Sequence, residues 1–138
     1  MTGVLVLIGT LVLASVVGLA LRARSGRVRR APASATLPAD VRRELAPGEV
    51  TLVQLSTTFC APCRHARIVL SNLAERTAGL RHTEFDLTDR VDLARELSVL
   101  RTPTTLAIDE RGTELLRVGG VPKADALLAA LRPHLAAA

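Results

Sequence analysis

Cys60 and Cys63 are the only cysteines of a 138-residue chain, and both lie in the stretch TTFCAPCRHA, residues 57–66. A thiol pair at this spacing suits reversible disulfide exchange, in which one thiolate attacks and the other resolves the mixed disulfide. The same pair is half of a structural zinc site, which takes four ligands. Haem attachment requires His directly after the second Cys, and Arg64 stands there instead. His65 follows Cys63 by two residues, a turn of about 200° around a helix, away from the thiols. His82 is the histidine that could approach in space, and no fourth ligand is evident. The third reading is a pair of inert buried thiols.

Local chemistry separates these readings. With Cys60 at the start of a helix, unpaired N–H groups and the helix dipole favour a thiolate. Such sites lower a thiol pKa from about 8.5 to roughly 3.5–7.5. Arg64 adds positive charge one turn on, and Pro62 suits a first helical turn, where its missing N–H costs nothing.

The elements around the pair follow from periodicity. Residues 50–56 (VTLVQLS) form an apolar, β-branched run of strand length. A helix is expected over 60–77, with Ile68, Val69, Leu70 and Leu73 apolar, ended by Gly79. Residues 80–87 alternate as a strand, and 89–97 are helical, with Asp89 as the carboxylate at the helix start. Residues 104–118 read as a hairpin around Asp109–Gly112, and 123–135 as a last helix with a leucine stripe. Residues 40–46 allow one or two helical turns before Pro47–Gly48. This order implies a small mixed sheet with helices on both faces. Phe59 and Phe85 are the only aromatic residues, so Leu, Val, Ile and Ala must build the core. Pro103, just before the strand at 104, marks a tight turn of the kind that holds cis bonds.

Residues 2–21 carry no charge, and as a helix they span about 30 Å, the thickness of a bilayer's hydrocarbon core. Five arginines follow within 22–30. By the positive-inside rule they place the domain on the cytoplasmic side; a cleaved export signal or an outward-facing domain is the alternative. The expected organisation is an anchor at 1–21, a basic juxtamembrane segment and Pro-rich linker at 22–39, and a domain at 40–138. Residues 31–138 hold 13 basic and 13 acidic residues, so the excess charge belongs to the membrane flank and calls for no nucleic-acid partner. The remaining candidates are slight: acidic residues Glu84, Asp86, Asp89 and Asp92, the Gly119–Gly120 turn, and the small pair Ala14 and Gly18 in the apolar segment.

Taken together, these features make residues 50–135 resemble a thioredoxin-fold domain. The resemblance rests on an apolar strand leading into Phe59-Cys60-Ala61-Pro62-Cys63, a strand with Asp86, Thr102-Pro103-Thr104, and a hairpin with Gly119. It implies that Cys60 attacks and Cys63 resolves, that Pro103 is cis and packs against the pair, and that the Thr102 backbone pairs with an extended substrate peptide. Four positions depart from the family pattern: Phe59 replaces Trp, Ala61 replaces Gly, Gln54 replaces a buried Asp, and His82 replaces the accompanying Lys. Phe59, Ala61, Pro62, Gln54 and Arg64 thus become the expected support of the thiols. The function implied is a membrane-anchored oxidoreductase that reduces protein disulfides with no cofactor beyond its own dithiol. Its partners would be protein thiols and disulfides, an electron donor that the sequence does not name, and the lipid bilayer. The rivals are a tethered binding module without turnover and a zinc-bound variant.

Overall fold

The computed structural model describes residues 1–31 and 36–135. Its elements are α1 (Thr2–Arg24), β1 (Val28–Arg30), α2 (Ala39–Arg43), β2 (Val50–Ser56), α3 (Ala61–Glu75), β3 (Leu80–Asp86), α4 (Val91–Glu96), β4 (Thr104–Ile108), β5 (Glu114–Gly119) and α5 (Ala124–Leu135). One five-stranded sheet runs in the order β1-β5-β4-β2-β3. β2 and β3 are parallel, and every other neighbouring pair is antiparallel.

β2 is buried along its whole length, which explains its continuous apolar run; central strands covered on both faces lose the alternation of a half-exposed strand. Its residues still divide between the faces. Val50 and Leu52 join Leu70 and Leu73 of α3 and Leu127 and Leu131 of α5 in one core cluster. Val53 and Leu55 face the other way, against Val41 of α2, Leu93 of α4, and Leu97. Helices therefore cover both faces, as the sequence pattern implies. The β4–β5 loop turns through Gly112 at φ +85°, a left-handed conformation that glycine adopts without steric cost.

α1 is a 23-residue helix with no buried residue, long and apolar enough to cross a bilayer. The juxtamembrane segment differs from expectation. Val28–Arg30, expected only as part of the basic membrane flank, is an edge strand, in register with Val118, Arg117 and Leu116 of β5. It supplies partners for the open edge of β5 and packs Val28 against the core. The domain also begins before residue 40, since Leu37 belongs to the second cluster. Of the expected linker, residues 32–35 lie outside the described residues. The remainder connects β1 to α2, within the domain. Asp89 is also corrected: the residue flanking α4 is Arg90, and no side chain caps this helix.

Candidate active site

Cys60 and Cys63 sit where β2 hands over to α3, joined as a disulfide. Cys60 is the N-cap of α3, and the Cys63 N–H donates to its Sγ at 3.2 Å. Pro62 lies in the first turn. The two sulfurs differ in access. Cys63 is 2 % exposed, whereas Cys60 is only partly covered. From solvent the Cys60 sulfur is therefore reached first, and Cys63 stands behind it.

The Thr102–Pro103 peptide is cis, and Pro103 is buried. The Thr102 hydroxyl lies 3.4 Å from that of Thr57, which brings this loop beside the segment leading into Cys60. The Gly120 N–H donates to the Pro103 carbonyl at 2.7 Å. Phe59 is 100 % exposed, an uncovered aromatic ring next to the accessible sulfur. Ala61 and Arg64 are also exposed, and the Arg64 side chain makes no hydrogen bond among the described residues.

Behind Cys63 lies a polar network that periodicity alone does not reveal. Gln54 is fully buried. Its Nε2 donates to the Cys63 carbonyl at 2.8 Å and to Ser56 Oγ at 2.9 Å. Those bonds fix the amide orientation and turn Oε1 toward His82 Nε2, 3.1 Å away. An amide oxygen only accepts, so His82 carries its proton on Nε2, and Nδ1 accepts from Ser71 Oγ at 3.1 Å. Glu84 accepts from Ser56 and takes two bonds from the Arg67 guanidinium.

The charges follow. Burial pushes His82 below its ordinary value; Glu84 opposes this and Arg67 adds to it. Burial alone would raise Glu84, but the Arg67 and Ser56 hydrogen bonds outweigh it and hold the carboxyl below its ordinary value. The resting state is therefore neutral His82 beside ionised Glu84. As pH falls below the ordinary histidine value of 6.5, the unfolded chain binds a proton that folded His82 resists, so stability falls. Glu84 adds a second loss in the same direction below its ordinary 4.5. Melting followed by circular dichroism should show a Tm that declines from pH 6.5 downward. His82→Gln should flatten the upper part of that decline; an unchanged profile would remove His82 from the account.

Gln54 and His82 thus meet as the departures at those positions suggest. Ser56, Ser71 and Arg67 escape sequence reading, and Glu84 stands out there only as one of the acidic candidates. Their signal is positional: 80, 82 and 84 share one face of β3, and 67 and 71 are one turn apart on α3. Of the acidic candidates, Asp86 accepts from the Thr88 N–H at 2.8 Å, and Thr88 Oγ1 in turn accepts from the Thr58 N–H at 2.9 Å. That chain of bonds pins the loop before Phe59. His82, the histidine a zinc site would need, is engaged by Gln54 and Ser71.

Comparison with known proteins agrees with this geometry. The Thioredoxin family model matches residues 36–133. Thioredoxin H2 of Arabidopsis thaliana is 27% identical over 75 residues, 54% of this chain and 56% of the relative. Thioredoxin H2-2 of Oryza sativa subsp. japonica is 30% identical over 77 residues, 56% of this chain and 57% of the relative. The chain spans a little over half the length of these curated relatives. The crystal structure of the thioredoxin NaTrxh from Nicotiana alata superposes with a TM-score of 0.56 at 25% identity, covering 69% of this chain and 79% of that one.

Proposed function

The chain belongs to the thioredoxin family, and from that premise we propose that it is a membrane-anchored thiol–disulfide oxidoreductase that reduces protein disulfides through Cys60 and Cys63. The observation that carries this reading is the unequal pair: an accessible sulfur at a helix N-cap, bonded to a sulfur that is 2 % exposed. In the reduced domain the Cys60 thiolate attacks one sulfur of a substrate disulfide, and the other substrate sulfur leaves as a thiolate. Cys63 then attacks Cys60 Sγ, freeing the second substrate thiol and closing the Cys60–Cys63 disulfide. Two electrons pass to the substrate, and an external dithiol donor must restore the domain.

Phe59 and the Thr102–Pro103 loop flank Cys60 and would hold the substrate chain. Gln54 and Pro62 support the pair from behind and from the helix start. Ala61 and Arg64 border it on the exposed side, where Arg64 would favour the thiolate through its charge. Gln54 cannot accept a proton, so Cys63 must lose its proton by another route. α1 serves as the anchor, and the redox domain begins at β1. The arginines after α1 favour the cytoplasmic side by the positive-inside rule, where thiols are kept reduced, and this supports reductase work. A binding module that holds partners without turnover is favoured by one observation, the absence of a carboxylate at position 54.

Redox titration of the full chain in detergent micelles tests the proposal. After equilibration in glutathione buffers, alkylation and mass measurement should give one two-electron transition. A midpoint near about −270 mV marks a reductant and one near about −120 mV an oxidant. No transition at any poise would overturn the oxidoreductase reading in favour of the binding module.

A further inference from the structure

Six arginines converge where α1 enters the domain. Arg22 and Arg24 come from the end of α1, Arg27 and Arg29 from the turn and β1, Arg101 from the loop before β4, and Arg117 from β5. They line a cleft of about 670 Å³, within the roughly 300–1,000 Å³ typical of small-molecule sites. Among the described residues no carboxylate lines it. Arg117 is paired with Glu114 and donates to the Leu97 carbonyl at 2.9 Å. The other five take part in no ion pair among the described residues. So many uncompensated guanidinium groups around one cleft repel each other and call for an anion.

The walls are held in place. The Gly26 N–H and Arg101 Nη2 both donate to the Gly119 carbonyl, at 2.8 and 3.0 Å. The helix end and the loop carrying Arg101 are therefore fastened to the same strand end. Leu21, on the apolar helix, and Leu100, which is 97% exposed, also line the cleft. Guanidinium groups recognise phosphate through paired N–H donors, and apolar side chains beside them, at the end of a bilayer-length helix, suit the first carbons of acyl chains.

We propose that this arginine cleft binds the phosphate-bearing headgroup of an anionic lipid, a site that rests on the anchoring reading above. Arg101 directly precedes Thr102 and Pro103, so a lipid seated there holds the loop beside Cys60 against the headgroup layer. The contribution of Arg101 distinguishes this site from the general attraction of a basic flank, because Arg101 lies far from the flank in sequence.

The test reconstitutes the full chain into nanodiscs of phosphatidylcholine with a minority of phosphatidylglycerol, then counts retained lipids by native mass spectrometry. Wild type should retain phosphatidylglycerol preferentially. Arg101→Gln should lower that preference roughly fivefold, matching about 1 kcal/mol per arginine near a charged surface. Gly119→Ala should act in the same direction, since its Cβ would meet the Arg101 guanidinium at 2.7 Å and displace it. Arg132→Gln, an exposed arginine on α5, should change nothing. Equal retention of both lipids, or an Arg101→Gln variant that behaves as wild type, would overturn the site. Displacement of the lipid by millimolar inorganic phosphate would reassign the cleft to soluble phosphates and overturn the lipid assignment. A chain that fails to enter the discs at all would overturn the anchoring reading itself, an outcome distinct from insertion without lipid preference.

Discussion

Cys60→Ser is expected to bring reduction of a protein disulfide down to the uncatalysed rate, while Cys63→Ser stalls the reaction after its first step. The two variants fail differently because the sulfurs differ in access. Without Cys60 the remaining thiol is 2 % exposed, and a substrate disulfide cannot reach it in line. Without Cys63 the accessible thiolate still attacks, but nothing releases the mixed disulfide, which accumulates as a covalent adduct. Mass spectrometry after mixing with a disulfide-containing protein should show that adduct in Cys63→Ser and none in Cys60→Ser. Adducts in the opposite variant would reverse the roles, and adducts in neither would leave the binding module as the better reading.

Gln54→Leu is expected to cost about 1–3 kcal/mol, from one part-buried donor left without a partner. That donor is the N–H that His82 points at the amide oxygen, whereas the Cys63 carbonyl, inside α3, keeps its bond in the helical ladder. Leucine has a similar volume, so the loss comes from polarity and not from an empty cavity. A second substitution isolates this contact. In Gln54→Leu/His82→Phe the orphaned imidazole is gone, and part of the loss should return as a coupling energy between the positions. Urea unfolding of the four proteins of this cycle measures it. Additive costs would mean that the 3.1 Å contact contributes nothing of its own.

Most elements of the domain are legible because their apolar residues keep a period. Leu70 and Leu73 mark the buried side of α3, and the runs at 50–56 and 104–108 are strands buried on both faces. β1 is not legible, since three residues inside an arginine-rich segment hold no pattern, and their pairing depends on an open edge of β5 far away in sequence. The network behind Cys63 fails for a related reason. Gln54 and His82 stand out as unusual residues, but Glu84 joins them only through the parallel register that sets it opposite Gln54. Register between distant strands leaves no trace in a local window. Asp89 illustrates the reverse error: an acidic residue near a helix start invites the role of cap, yet α4 begins after Arg90 and takes none.

The short passage from α1 to β1 has a kinetic meaning. Had residues 22–39 been a free tether, the domain would wander within a radius of about 24 Å for a flexible chain of that length. Only Ser25, Gly26 and Arg27 separate the helix from the sheet, and Gly26 is itself bonded to Gly119. With α1 in a bilayer, Cys60 patrols a thin shell parallel to the surface, and its diffusion becomes two-dimensional. Disulfides that reside in that shell are met often and in nearly constant orientation, whereas those further out must come to the enzyme. Selectivity would then arise from altitude above the membrane as much as from any contact with the substrate chain.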